Sequence, residues 1–461
     1  MNLLSLHALF MATALVLVHA QAARWGARAQ NLVVLLGALL FGASVDVRLA
    51  LVPFAVMGMQ YYFALRMAQP GAQRRAWCLI AAVAALTPLF GFKYWTLFLN
   101  LGADAAGLPA LAEPATLWVP LGVSYFCLQG LAYTVDVYRG HREPERDPLS
   151  FLAFGAFFPS LVAGPISRAA ELLPQLQVVR RTTPEALEAG LLLISWGLFK
   201  KRVVADQLAP ISDRVFALEA ASFPLMAVGA YTFTLQLYAD FSAYTDIARG
   251  LARLLGVDLP HNFRAPLLAE SFTDHWQRWH MSLTRFFRDY VYFPLAGERS
   301  GALRRSCALL LTFVVSGLWH GAAWNFALWG AYHGAWVLFE RALGSGGIGT
   351  RRWLRPFRIG FTFTLLCVGM VIFREGDGLS RIVQDLTYDP REAQPLDWAV
   401  AGYLLPIVLA WSAPVWLVEL GTHRGIGLPR GWARAGVILL LIALTRVLAA
   451  PEGESFIYAE F

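Results

Sequence analysis

The sequence predicts an all-α polytopic membrane protein, and three observations carry that reading. Of its 461 residues, 57% are hydrophobic and 15% charged, whereas about 25% of residues are charged in ordinary soluble domains. Apolar runs near the ~20 residues needed to cross a bilayer recur along the whole chain. No hydrophilic stretch is long enough for a separate soluble domain, so residues 1–461 are treated as one membrane-embedded unit.

The first runs lie around Leu3 to Ala20, Leu32 to Leu51, Pro53 to Met67 and Trp77 to Leu99. The earliest has no basic n-region and no small-residue cleavage signature, and is read as a retained helix. The next lie around Leu117 to Tyr138, Phe151 to Val162, Ala186 to Lys200 and Phe223 to Tyr238. The last are Leu303 to Leu318, Ala322 to Phe339, Ile359 to Phe373, Val400 to Val418 and Ala433 to Leu448. Together they predict roughly eleven to thirteen membrane helices, some short or re-entrant.

Cys78, Cys127, Cys307 and Cys367 are dispersed in apolar surroundings without ligand spacing, which reads as packing rather than a disulfide or zinc framework. The net charge of +7 is spread among short loops, the pattern of cytoplasmic loop bias rather than of nucleic-acid binding. Arg24 and Arg28, Arg74 and Arg75, Lys200 to Arg202, and the arginines from Arg264 to Arg305 are assigned to the cytoplasmic face. The acidic tail PEGESFIYAEF then falls on the periplasmic side.

The most polar interior segment runs from Gly256 to Arg305. In it Phe272, Trp276, Trp279, Leu283, Phe286 and Tyr290 recur at three- and four-residue steps, the stripe of a single helix. Asp274, Gln277, Arg278, Arg285, Arg288 and Asp289 occupy much of the remaining surface. A helix in the cytoplasmic interface fits this pattern; an ordinary packing helix is the alternative.

Titratable side chains at membrane depth are costly and often functional, and VVSGLWHGAAWNFALWGAYHGAWVLFE contains two, His320 and His333. Flanked by Trp319 and Gly321, His320 is placed to act as a general base, with a hydrogen-bonded core histidine as the competing reading. On one continuous helix, thirteen residues would separate His333 from it by about 20 Å, on another face, whereas a break at Gly321 or Gly330 would change that. His333 therefore reads as structural or cavity-lining. His280 closes HWQRWH on the aromatic side of the interfacial stripe. Its five-residue spacing from His275 is not that of a metal-binding HExxH pair, so no metal is expected. Asp240 and Asp246 either orient a histidine or anchor the fold through Arg249 or Arg253, while Arg168, after a Gly-Pro break, meets an anion or caps a helix.

The chain has no GxSxG elbow, no Walker loop, and no histidine followed five residues later by aspartate. These absences point away from serine hydrolases, nucleotide hydrolysis and the His-Asp acyltransferases.

YADFSAYTDIARGLARLLGVDLPHNFRAPLLAESFTDHWQRWHMSLTRFFRDYVYFPLAG, followed by LTFVVSGLWHGAAWNFALWGAYHG, resembles the membrane-bound O-acyltransferases. Within them it is similar to the bacterial branch of alginate O-acetyltransferases and teichoic-acid D-alanyl transferases. VPLGVSYFCLQGLAYTVDVYRG, FFPSLVAGPISR and FIYAEF extend the similarity from Val119 to the C-terminus, with the core motifs in 119–340. Ala243 and Leu267 stand where that branch commonly has glycine and an aromatic residue.

The resemblance implies a ring of helices around a central tunnel, His320 as the catalytic residue and His280 as a second functional histidine. Trp319, Asn325, His333, Asp240, Asp246 and Trp279 are then supporting or tunnel residues, and Arg278, Arg285 and Arg288 donor-binding ones. It implies no bound cofactor, and acetyl-CoA as a donor whose phosphates meet those arginines. The setting it implies is the bacterial inner membrane, with an SGNH-like acetyltransferase partner and an exported, alginate-like polysaccharide as indirect acceptor. D-alanyl or other acyl transfer to a carrier, lipid or protein is the alternative within the family. A transporter or flippase with proton-relay histidines is the alternative outside it.

Overall fold

The computed structural model describes residues 6–95, 122–162, 164–218, 221–344, 352–374, 393–427 and 431–450, with single positions 99, 120 and 429. Residue 119, the acidic tail and its FIYAEF motif lie outside the described residues. Among the described residues every regular element is a helix. An all-α architecture follows from the composition, because only helices and closed barrels satisfy the backbone inside lipid.

Among the described residues, five helices are long and apolar enough to cross a membrane: Ala27–Asp46, Arg74–Tyr94, Ala302–His320, Arg355–Arg374 and Pro395–His423. Other expected spans are shorter or more polar. Leu6–Ala22 has 17 residues and Val52–Met67 and Val123–Tyr138 have 16 each, which at about 1.5 Å per residue falls short of the ~30 Å hydrocarbon core. The expected run from Phe151 to Val162 is an eight-residue helix, Pro148–Gly155, followed by a 3-10 turn.

Contacts divide the chain into two units, one within 1–194 and 245–260, the other within 195–244 and 261–457. The first is organised around an apolar cluster that includes Val34, Met57, Tyr133, Phe151, Phe154 and Leu173. A buried arginine, Arg180, crosses its polar interior. Its guanidinium donates to Asn31 Oδ1 at 2.9 Å and lies 3.3 Å from His19 Nε2, while its backbone N–H donates to Gln30 at 2.9 Å. Burial lowers its pKa to about 10, so it stays charged at neutral pH. Neutral acceptors therefore hold a full positive charge in place.

The second unit holds the histidines of interest. Ala302–His320 and Trp324–Ala342 form a hairpin broken at Gly321, whose extended backbone (φ −164°, ψ 157°) ends the first helix one residue after His320. The helices meet through glycine. A Cβ at Gly317 would stand 2.0 Å from the Phe326 carbonyl oxygen, one at Gly330 2.2 Å from that of Phe313, and one at Gly321 1.9 Å from the Phe326 ring. Small residues of this kind let helix backbones approach closely in membranes.

The expected single interfacial helix is not one helix. Phe272–Trp276 and Met281–Phe287 are separate, divided at His280, whose φ of 41° is left-handed. A π-turn, Arg288–Tyr292, and the short Phe293–Ala296 follow. The stripe nevertheless marks burial correctly from Phe272 to Phe286. Period-3.6 spacing records which side chains are covered, and a turn that keeps them covered leaves the same record.

Gly330→Ala is predicted to destabilise the protein by about 1–3 kcal/mol through overpacking of the hairpin. Gly360→Ala, on Arg355–Arg374 with open space around it, should leave stability unchanged or slightly raised. Thermal unfolding in detergent checks the contrast.

A buried histidine and tryptophan cluster as candidate active site

The backbone break at Gly321 changes the relation between His320 and His333. The separation that one continuous helix would impose does not apply, because the chain breaks at Gly321 and the two histidines sit on two helices facing each other. Both imidazoles pack on the Trp329 indole, at 5.3 Å for His320 and 4.6 Å for His333 between ring centroids. Trp319 completes the contact on the other side, 4.9 Å from His320 and 6.1 Å from His280. Tertiary structure thus strings His280, Trp319, His320, Trp329 and His333 into one buried array.

Local structure positions each member. His320 is the last residue of its helix, at the negative end of the helix dipole. The Phe373 ring closes its cage at 5.3 Å. Asn325 donates from Nδ2 to the Phe373 carbonyl at 2.9 Å and so pins that ring's backbone. His333 lies against Trp276 (5.3 Å) and Phe272 (5.3 Å), and a Cβ at Gly369 would stand 2.9 Å from its Nε2. Neither ring nitrogen of His333 has a hydrogen-bond partner among the described residues.

His280 is held by a different device. Asn262 Oδ1 lies 3.2 Å from His280 Nδ1 and accepts from the Ser282 N–H at 3.1 Å and the Ser282 hydroxyl at 2.9 Å. Asn262 therefore caps the helix that His280, in its left-handed conformation, cannot cap itself. Non-glycine residues persist there only where surroundings over-determine them, and they cluster at functional sites. Burial lowers the pKa of His280 to about 3 and of His275 to about 4, keeping both neutral. Trp279 stacks on His275 at 5.5 Å.

Asp240 and Asp246 do different jobs. Asp240 accepts from Lys201 Nζ at 2.7 Å, and Lys201 also reaches Asp206 at 3.0 Å. The cation beside Asp240 is thus Lys201, not the expected Arg249 or Arg253. In the basic cluster Lys200 to Arg202, which the sequence assigns to the cytoplasmic face, a π-turn buries Lys200 and Lys201. Lys200 donates to Ser242 at 2.7 Å. Asp246 pairs with Arg249 at 3.7 Å within its own helix. Arg168 is the N-cap residue of Ala169–Leu176, without a side-chain cap bond.

A cavity of about 550 Å³ is lined by Trp276, whose ring packs on Trp329 and His333, and by Phe313, Ser316, Arg285, Arg288 and Arg341 among others. Ser316 lies one helical turn before His320. Of the three arginines expected to bind a donor, Arg285 and Arg288 line this space. Arg278 does not; it is held by Asp274 at 2.7 Å and lies 3.5 Å from His423 Nδ1. Arg341 was missed, since on sequence it looks like the basic end of an apolar helix. Its neighbour Glu340 accepts from the Thr273 N–H at 2.9 Å and hydroxyl at 2.8 Å and from the Phe272 N–H. That carboxylate ties the start of the Trp276 helix to the helix carrying His333.

A family model described as MBOAT, membrane-bound O-acyltransferase family, matches residues 140–374. The chain is 36% identical over 357 residues to a probable alginate O-acetylase AlgI of Azotobacter vinelandii, covering 76% of this chain and 70% of that protein. It is 34% identical over 314 residues to a peptidoglycan O-acetyltransferase of Helicobacter pylori, covering 61% and 59%. To a teichoic acid D-alanyltransferase of Bacillus subtilis it is 26% identical over 318 residues, covering 64% and 76%.

Asp240→Ala is predicted to cost about 3–5 kcal/mol, because it removes one partner of a buried ion pair. Arg288→Ala, which breaks the more exposed pair with Asp289, should cost no more than about 1 kcal/mol. Denaturation of the two purified variants in mixed micelles checks the ordering.

Proposed function

The chain belongs to the membrane-bound O-acyltransferase family, and from that premise we propose that it is an inner-membrane O-acetyltransferase serving modification of an exported, alginate-like polysaccharide. The observation that carries the reading is His320, buried at a helix break one turn after Ser316, which lines a cavity with three arginines on its walls. In this reading residues 1–461 work as one acyltransferase unit.

His320 acts as the general base. It takes the proton from an acceptor hydroxyl as that oxygen attacks the acetyl thioester carbonyl. Collapse of the tetrahedral intermediate forms the ester and expels the thiolate, to which the imidazolium returns its proton. Trp319, Trp329 and Phe373 hold the ring and keep water from competing for the acyl group. Acetyl-CoA is the proposed donor, entering from the cytoplasm with its phosphates at Arg285, Arg288 and Arg341 and its pantetheine arm in the apolar part of the cavity. The acceptor hydroxyl belongs to an SGNH-like partner at the periplasmic face, which passes the acetyl group to the polymer. His280 and His333 brace the two ends of the array.

Similarity to a teichoic acid D-alanyltransferase favours one second reading, transfer of D-alanine from a carrier protein. Labelled acetyl-CoA incubated with the purified protein separates the two, because a carrier-dependent enzyme leaves it untouched.

His320→Ala is predicted to lower acetyl transfer by about 10²–10⁴-fold, with loss of polymer O-acetyl groups in cells that still insert the protein; retained acetylation would remove His320 from the mechanism. Arg341→Ala should raise the KM for acetyl-CoA while leaving kcat near wild type, the pattern of lost uniform binding in steady-state kinetics.

A further inference from the structure

Glu419 is a carboxylate on Pro395–His423, a helix apolar enough to cross a membrane, and it is buried to 5% exposure. Ionisable groups in such segments are costly to keep and commonly mark function. Both its oxygens are taken by neutral donors. The Tyr238 hydroxyl donates to Oε1, and the Leu267 backbone N–H donates to Oε2 at 3.3 Å.

From those two donors the contacts run to the histidines. The Tyr238 ring packs on Trp279 at 5.7 Å and on Phe263 at 5.6 Å. Trp279 stacks on His275, with 22° between the planes. Phe263 packs on Phe241 at 5.0 Å, and Phe241 on His280 at 4.7 Å. Beside Leu267, the Pro266 carbonyl lies 3.3 Å from His275 Nδ1. Glu419 thus reaches His275 along two routes and His280 along a third.

The backbone it grips is strained. Ala265, at the start of the turn containing Leu267, has φ 49°, and His280 has φ 41°; among the described residues these are the two non-glycine positions with positive φ. Such conformations hold only where several contacts fix them. One carboxylate accepting from the loop and from the aromatic wall supplies two of those contacts together.

We propose that Glu419 is a positioning residue for the transfer reaction, acting through Tyr238 and the Leu267 loop on the box that fixes His275 and His280. The proposal rests on the acyl-transfer reading above. A clamp with only a structural role would lower stability when removed and leave the turnover of the folded protein unchanged.

The test uses purified full-length Glu419→Leu, Glu419→Gln, Tyr238→Phe and the Tyr238→Phe/Glu419→Leu double variant, with kcat and donor KM measured per folded protein and His320→Ala as the blank. Glu419→Leu and Tyr238→Phe should lower kcat by about tenfold to a hundredfold, as misplaced catalytic groups do, with KM within about twofold. The double variant should be no worse than Glu419→Leu alone, and Glu419→Gln, which keeps an acceptor oxygen, should recover much of the loss. Wild-type kcat in folded Glu419→Leu, or losses that multiply in the double variant, would overturn the proposal. If Glu419→Leu does not fold, wild-type kcat in both Tyr238→Phe and Glu419→Gln overturns it equally. Activity retained by His320→Ala would instead sink the reaction assignment, which distinguishes the two failures.

Discussion

The close approach of Ala302–His320 and Trp324–Ala342 through their glycines is the constraint on which the rest of the candidate site depends. With Cβ atoms at Gly317 and Gly330 the helices would be forced apart by backbone carbonyls, and Trp329 could not lie against His320 and His333 together. Gly321 makes the hairpin, since it ends one helix after His320 and leaves room for the Phe326 ring. The chemistry of the array therefore begins with three missing side chains.

Polar groups inside this apolar protein are each stabilised locally, in three different ways. Lys201 is neutralised by Asp240 and Asp206. Arg180 is held by uncharged acceptors, and Glu419 by uncharged donors. The first arrangement offsets desolvation by Coulomb attraction, whereas the other two depend on hydrogen-bond geometry.

The segment from Phe272 to Ala296 shows why periodicity was informative and still gave the wrong element. Its aromatic residues are buried where a helix stripe would bury them, but the chain turns at His280 and re-starts at Met281. The turn depends on Asn262, eighteen residues earlier, which caps the second helix in place of His280. Nothing in the local pattern of HWQRWHMSL encodes that distant acceptor. Lys201 was hidden for the same reason: a lysine in a basic triplet reads as a loop until the fold sets two aspartates beside it.

Composition and hydropathy by themselves determined that this chain is helical and membrane-embedded, because lipid leaves the backbone no other open-chain solution. The ordered motifs determined its family and, through that resemblance, singled out His320 and His280. Only the tertiary structure decided which side chains meet. It placed His333 beside His320 across Trp329, brought Arg341 to the cavity in place of Arg278, gave Asp240 to Lys201, and set Glu419 behind Tyr238. These are contacts between residues distant in sequence, fixed by how closely glycine lets two helices pack and by which polar groups remain to be satisfied once they have done so.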